Sequence, residues 1–185
     1  HEMILPRKSL NLLKSTLPLN KSSEVKLEFN ASNAFFSFDN IKMVCRLIDE
    51  RYPDYENVIP LNNSNNVGVD KSEILSSLKR ISIYANKTTN QVRFKISGGE
   101  MLISAEDLDF SNEANERISC EHEGADIEIG FNAKFLIEIL SNLNSNRVTF
   151  KLSEPNKAGL IIPDEIDDNE DITMLVMPVM LNDYA

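Results

Sequence analysis

Hydrophobic residues recur with two different periods along this chain, and the two periods predict short helices that alternate with groups of strands. Three stretches carry apolar residues at helical spacing: Pro6 to Leu17, Asp70 to about Asn86, and Asn132 to about Leu143. Between them, apolar and polar residues alternate, which is the pattern of strands with one buried face. The chain is therefore predicted to be α+β.

Each predicted helix has a recognisable start. The first has Pro6 at an early helical position and stops at Pro18. The second opens with Asp70 and Glu73, which have the spacing of a capping box, and the third is capped by Asn132. The apolar face of the second helix is predicted to contain Ile74, Leu75, Leu78 and Ile81. That of the third is predicted to contain Phe135, Leu136, Ile139, Leu140 and Leu143.

Three strand-like runs follow each predicted helix. After the first helix they are EVKLEFN, AFFSFDN and IKMVCRLID, which indicate an antiparallel meander. After the second they are QVRFKIS, MLISA and ERISCEH, with a Gly98–Gly99 turn between the first two. After the third they are RVTFKLS, GLII and TMLVMPV, and short strands, NNVGV and ADIEIGF, precede the second and third helices.

These elements form an internal repeat. The unit is β-α-β-β-β, and its helices recur at a spacing of about 62 residues. Two such units make a domain from about Tyr55 to the end of the chain. The first helix and its three strands have no partner unit, so the chain is expected to begin midway through another domain.

Composition limits the class of protein. With 185 residues and 42% hydrophobic content, the chain can bury a sizeable core. No stretch approaches the roughly 18 uninterrupted apolar residues of a membrane span, and no signal-peptide pattern is found. Cys45 and Cys120 each lie inside an apolar run, which is typical of reduced intracellular packing residues. A cytoplasmic protein is predicted.

The charge balance argues against a surface that attracts nucleic acid everywhere. There are 19 basic and 29 acidic residues, for a net charge of −10. Basic residues nevertheless recur on helix stripes: Arg7 and Lys14 with Lys8 beside them, and Lys79 with Arg80. Such stripes are either ordinary solvated faces or, if the helices lie side by side on a curved sheet, a surface for contact with the DNA backbone.

Catalytic and metal-binding patterns are weak. His122 could be paired with Cys120 or Cys45 as base and nucleophile, but no motif places an orienting acid. The acidic run from Asp164 to Asp171 lacks the glycine and the final glutamate of a calcium loop, which favours a solvated loop. No phosphate-binding glycine loop is found. A non-enzymatic protein without metal or cofactor is predicted.

The chain ends on an apolar run, TMLVMPVMLNDYA, that contains a proline. Because proline cannot donate to a β-ladder, Pro178 predicts a strand that ends at a surface. Met177 and Met180 would then form an adaptable rim, and the alternative is a last core strand followed by a frayed tail.

Four stretches together resemble a known family. LIDERYPDYENVIP, from Leu47 to Pro60, resembles the inter-domain segment of the bacterial sliding clamps, the beta subunits of DNA polymerase III, and LPRKSL, EIGFNAKFLIEIL and LVMPVML match in the same order. The resemblance covers essentially the whole chain. It implies the DNA-clamp, or processivity, fold, with helices on one face of curved antiparallel sheets. Residues 1–54 would be the second half of the middle clamp domain, and residues 55–185 a complete C-terminal clamp domain.

The resemblance also implies a function. Clamps of this family close head to tail into dimeric rings around duplex DNA and tether polymerases without reading sequence. The candidate DNA-facing residues become Arg7, Lys8, Lys14, Lys79 and Arg80. Ile83 and Tyr84 take the family's apolar positions at the homodimer interface. The partner surface belongs to a domain outside this chain, so the chain alone is not expected to close a ring.

In the family, a hydrophobic pocket receives short linear motifs of replicative and translesion polymerases, the clamp loader and repair proteins. The pocket residues implied here are Pro53, Asn57, Val58, Asn132, Phe135, Leu175, Met177, Pro178, Val179 and Met180. Asn57 and Met180 stand where family members often carry arginine, and Asn182 to Ala185 extend beyond the usual leucine ending. The alternative is an acidic β-rich interaction module unrelated to DNA, which would not recognise a clamp-binding peptide.

Overall fold

The computed structural model describes residues 2–17 and 24–181. The chain divides into two compact units, His1–Asp54 and Tyr55–Ala185. The predicted end of the first helix at Pro18 and the extension Asn182 to Ala185 lie outside the described residues. No helix in the described part of the chain is long and apolar enough to cross a membrane.

The described residues of the N-terminal unit form one helix and one meander. Helix α1 spans Arg7–Thr16, with Pro6 at its N-cap and Leu17 at its C-cap. The strands β1 (Lys26–Phe29), β2 (Asn33–Phe38) and β3 (Ile41–Arg46) pair antiparallel in that order, as predicted. A small core packs between helix and sheet and consists of Ala34, Phe36 and Cys45 with Leu5, Leu13, Met43 and Leu47 around them.

The edge strand β1 is only partly covered on the apolar face of this unit. Leu27 is paired with Phe36 and Phe29 with Ala34, so both side chains lie on the same face as the small core. Leu27 is nevertheless 44% exposed and Phe29 43% exposed. The alternation of this run is therefore as predicted, but the described residues of the unit do not bury its apolar side.

Residues 55–181, the described part of the C-terminal unit, contain two α-helices, one short 3-10 helix and nine strands. The first repeat consists of β4 (Asn65–Asp70), α2 (Lys71–Ile81), β5 (Gln91–Ser97), β6 (Glu100–Asp107) and β7 (Asn112–Ser119). A short strand β8 (Glu121–Glu123) follows. The second repeat consists of β9 (Ile127–Asn132), α3 (Ala133–Asn142), β10 (Arg147–Leu152), β11 (Gly159–Pro163) and β12 (Met174–Val176). The predicted β-α-β-β-β order is thus found twice.

The two repeats exchange their first strands. The strand order is β12-β11-β10-β4-β8 in a five-stranded sheet and β7-β6-β5-β9 in a four-stranded sheet. Strand β4 of the first repeat pairs with β10 of the second, and β9 of the second pairs with β5 of the first, both antiparallel. Neither sheet is complete without a strand from the other repeat, so the repeats fold as one domain.

Helices α2 and α3 begin where the sequence predicts. The Asp70 carboxylate accepts a hydrogen bond from the Glu73 backbone N–H at 2.8 Å, and the Asn132 side-chain oxygen accepts one from the Lys134 N–H at 3.0 Å. The buried side chains of the two helices include Ile74, Leu78, Ile81, Leu136, Leu140 and the C-cap Leu143, with Leu75 and Ile139 partly buried. Phe135 departs from the predicted apolar face because it is 58% exposed in the first turn of α3.

Helix α2 ends at Ile81, five residues before the predicted end near Asn86. A tight turn follows, in which the Tyr84 N–H donates to the Ile81 carbonyl at 3.0 Å. The Asn86 side-chain oxygen accepts the backbone N–H groups of Thr88 and Thr89 at 3.0 and 3.3 Å. These side-chain bonds stabilise a turn in place of another helical turn, which is why the apolar period alone overestimates the helix.

The predicted single strand ERISCEH is wrong, because the chain changes sheets inside it. Residues up to Ser119 belong to β7 and pair with β6, whereas β8 pairs with β4 in the other sheet. At the crossing, the Cys120 N–H donates to the Gly99 carbonyl at 2.9 Å. A uniform alternation in sequence does not show where a strand changes its partner.

Candidate functional site

A groove of about 500 Å³ lies between the turn after Asp54 and the segment that leads into β12. It is lined by Tyr55, Val58, Ile59, Asp171, Thr173 and Leu175. Glu56–Val58 form a single 3-10 turn, which presents Val58 with 54% of its surface exposed. Every lining residue belongs to the C-terminal unit, so this unit alone builds the groove.

Two residues of the implied pocket, Val58 and Leu175, share this groove. Tyr55 and Ile59 were not assigned from the sequence, although they lie inside the same motif as Val58. Asp171 and Thr173 precede Leu175 at alternate positions, which is the spacing of side chains on one face of an extended segment. This alternation is the sequence pattern from which Asp171 and Thr173 could have been predicted.

The terminal segment leaves one sheet and joins the other. Strand β12 pairs with β11 and ends at Val176, two residues before Pro178, which lacks the N–H that a ladder requires. The Val179 N–H then donates to the Gly130 carbonyl of β9 at 2.9 Å. Met177 is 56% exposed and Met180 73% exposed, so both methionines remain available at the surface.

Asn132, one of the expected pocket residues, forms hydrogen bonds that stabilise the fold. In addition to capping α3, its side-chain amide donates to the Thr89 carbonyl at 3.0 Å. Phe135, one turn into α3, is exposed. Asn57 is exposed beside Val58, and Pro53 is an exposed residue of the N-terminal unit. None of these four side chains lines the groove itself.

The basic residues of the two helix stripes differ in their surroundings. Arg7, Lys8 and Lys14 on α1 and Lys79 on α2 are all exposed. The Arg80 guanidinium instead donates twice to the Glu116 carboxylate of β7, through Nε at 2.7 Å and Nη2 at 2.6 Å. This pairing lowers the pKa of Glu116 below its ordinary value. The charge of Arg80 is therefore locally compensated.

Ile83 and Tyr84 lie in the turn after α2, where they are 65% and 42% exposed. Leu108 and Phe110, in the turn between β6 and β7, are 64% and 71% exposed and were not assigned from the sequence. The Asn86 side-chain amide donates to Asp107 Oδ1 at 3.4 Å and connects the two turns. These four apolar residues are called the turn patch below.

The described residues give little support to catalysis by a thiol. Burial, with a smaller contribution from the charge of Glu100, raises the pKa of Cys120, which is the opposite of an activated nucleophile. Cys45 is buried in the N-terminal unit. Among residues 2–17 and 24–181, no three His, Cys, Asp or Glu side chains are grouped so that they could hold a metal ion.

Comparison with known proteins agrees with this architecture. The family described as "DNA polymerase III beta subunit, C-terminal domain" matches residues 56–180. The beta sliding clamp of Pseudomonas aeruginosa is 29% identical over 181 residues, which are 98% of this chain and 48% of that protein. The beta sliding clamp of Borreliella burgdorferi is 26% identical and is matched over 96% of this chain and 45% of its own length.

Solved structures of the same family have the same fold. The DNA polymerase III subunit beta of Pseudomonas aeruginosa superposes with a TM-score of 0.90 at 29% identity, covering 98% of this chain and 48% of that one. That of Thermotoga maritima gives 0.87 at 25% identity, covering 97% and 48%. This chain spans about half the length of the relatives it matches. The predicted α+β clamp fold is confirmed, and the chain belongs to the DNA polymerase III beta subunit family.

Proposed function

We propose that this chain is part of a sliding clamp, a non-enzymatic processivity factor that encircles duplex DNA and tethers DNA polymerases in the cytoplasm. The observation that carries the proposal is the groove lined by Val58 and Leu175, with the exposed Met177 two residues after Leu175 along the chain. A clamp needs such a surface because it acts by holding other proteins on DNA. Membership of the beta subunit family supports the same function.

We assign the two units to different clamp domains. His1–Asp54, whose described residues form one helix and one meander, would be the second half of the middle domain, and Tyr55–Ala185 the C-terminal domain. The edge strand β1, whose Leu27 is 44% exposed, supports an incomplete first domain. The whole protein would close head to tail as a homodimer, with the turn patch as this chain's part of the contact.

The groove would receive the apolar end of a short linear motif from a polymerase, the clamp loader or a repair protein. Val58, Ile59 and Leu175 offer the apolar lining, and burial of motif side chains there contributes about 25 cal/mol per Å² removed from water, less the cost of ordering the peptide. Methionine suits a rim that accepts several partners, because its flexible side chain repacks around each one. The remaining assigned pocket residues of the C-terminal unit are Asn57, Asn132, Phe135, Met177, Pro178, Val179 and Met180.

Contact with DNA would use the exposed cations Arg7, Lys8, Lys14 and Lys79. Arg80 would contribute less than its position implies, since Glu116 already binds its guanidinium. A few mobile contacts to phosphate hold a duplex without fixing its register, which is what sliding requires. The net charge of −10 would keep DNA away from the remaining surface.

The test is fluorescence polarisation with a labelled clamp-binding peptide, one that contains glutamine and leucine and ends in apolar residues. We expect saturable binding to the unaltered chain and a loss of at least about tenfold in affinity, or 1.4 kcal/mol, with Met177→Asp. The matched control is Ile166→Asp, which puts the same charge in place of another exposed apolar side chain, 53% exposed and outside the groove.

The outcomes decide whether this chain supplies the peptide site of a clamp. Binding that Met177→Asp removes and Ile166→Asp retains supports the clamp. Equal affinity of all three chains would contradict the assignment of Met177. If the unaltered chain failed to bind, the peptide-tethering function would be wrong for this chain.

A further inference from the structure

The segment that carries the methionine rim is anchored at both ends, in different sheets. At one end, Val176 pairs with Gly159 of β11 and is buried. At the other end, Val179 forms a bridge with Gly130 of β9. Met177 and Pro178 are the two residues between these anchors. Because Pro178 has no N–H, the first ladder cannot continue, and the chain is free to change sheets there.

The second anchor depends on a close approach of two backbones. A Cβ atom at position 130 would lie 2.6 Å from the Val179 carbonyl oxygen and 2.7 Å from Leu181 Cδ2. The first of these atoms belongs to the main chain and cannot rotate away. Gly130 does not have the positive φ of a glycine-requiring turn, so the position needs space and not a special backbone conformation.

We infer that Gly130 is a positioning residue for the peptide site: by admitting Val179 against β9, it holds Met177 and Pro178 in place as a rim. This inference rests on the proposed peptide-binding function. If the rim is already ordered, peptide binding does not have to supply the free energy of ordering it. Loss of the contact between Val179 and β9 therefore lowers the affinity, although every atom that touches the peptide is still present. Gly130 itself need not touch the peptide.

A methyl group at position 130 is the direct test. We expect Gly130→Ala to displace Val179 and to weaken binding of the labelled clamp-binding peptide by about tenfold or more. Gly99→Ala is the matched control, because a Cβ there meets only the Cys120 carbonyl oxygen, at 3.6 Å, an ordinary contact distance. That variant should bind like the unaltered chain.

Hydrogen exchange of the Val179 amide, followed by NMR, reports the anchor independently of the peptide. Its N–H is bonded to the Gly130 carbonyl in the unaltered chain and should be protected. In Gly130→Ala it should exchange at least about tenfold faster, while the amides of β5 in the same sheet retain their protection. A role in general stability alone would lower the protection of β5 as well.

The outcomes separate this inference from the function on which it rests. If Gly130→Ala keeps the affinity of the unaltered chain, with or without loss of Val179 protection, Gly130 does not position the rim, and the peptide site itself stands. If the unaltered chain binds no peptide, both proposals fail. Should Gly130→Ala not fold, Val179→Pro removes the same hydrogen bond without adding an atom at position 130, and unchanged affinity would likewise overturn the inference.

Discussion

The rings of Phe94 and Phe150 meet edge to face, with centroids 6.1 Å apart and an interplanar angle of 75°. Phe94 belongs to the four-stranded sheet and Phe150 to the five-stranded sheet. A second edge contact, at 5.5 Å and 62°, joins Phe94 to Phe131 of β9. Phe94 therefore packs at the centre of the core in which the two repeats join.

Truncation of Phe94 is expected to be among the costlier single changes in the C-terminal unit. Phe94→Ala removes a side chain with 0% exposure and should lower the free energy of unfolding by about 3–5 kcal/mol, measured by urea denaturation with circular dichroism. Phe110→Ala, at a side chain 71% exposed, should stay within about 0.5 kcal/mol of the unaltered chain. Similar losses for the two variants would contradict the described core.

The cap of α2 should show a defined pH dependence. The Ser72 hydroxyl and the Glu73 N–H both donate to the Asp70 carboxylate and lower its pKa below the ordinary value of 3.8. Asp70→Ala should lower the free energy of unfolding by about 0.5–2 kcal/mol at neutral pH, measured by urea denaturation. Asp70→Asn, which keeps an acceptor, should lose little.

The sign of this dependence follows from the direction of the shift. Because the folded chain has the lower Asp70 pKa, the charged cap stabilises fully above the ordinary value near 3.8 and stops stabilising as the pH falls through the folded value. The unaltered chain should therefore lose unfolding free energy relative to Asp70→Asn as the pH falls into the acid range. A difference that stays constant from neutral pH into this acid range would rule out the ionised cap.

Two substitutions, at Lys79 and at the Glu116 partner of Arg80, should change the affinity for duplex DNA in opposite directions. Glu116→Gln removes the carboxylate that compensates Arg80 and should raise the affinity for duplex DNA at low salt, whereas Lys79→Gln should lower it and reduce the salt slope by about one unit. Fluorescence anisotropy of a labelled duplex over a salt series measures both. Lys151→Gln, at an exposed cation of strand β10, is the control, and equal effects at Lys79 and Lys151 would refute the assigned face.

The thiol of Cys120 should react slowly in the folded chain. Burial and the nearby Glu100 carboxylate raise its pKa, so little thiolate is present at a pH near 8. In a Cys45→Ser background, where Cys120 alone reports, we expect slow reaction with Ellman's reagent and a faster reaction after Glu100→Gln. A Glu100→Gln variant that reacts no faster would contradict the influence of this carboxylate.

Local features of the fold could be predicted from the sequence because they depend on residues close in the chain. Asp70 and Asn132 cap their helices through N–H groups two or three residues away, and strand alternation follows from the period of the backbone. The terminal Pro178 likewise indicated where a ladder must stop. The proposed pocket and its partners came from the resemblance to clamps, not from these patterns.

Only the tertiary structure decided which distant residues meet. The exchange of β4 and β9, the crossing at Cys120 and the pairing of Arg80 with Glu116, 36 residues apart, all depend on the choice between alternative partners of similar local pattern. The groove between Val58 and Leu175 and the contact of Val179 with Gly130 arise in the same way. Such choices depend on how all the side chains of the core pack together. The local spacing of apolar residues does not contain that information.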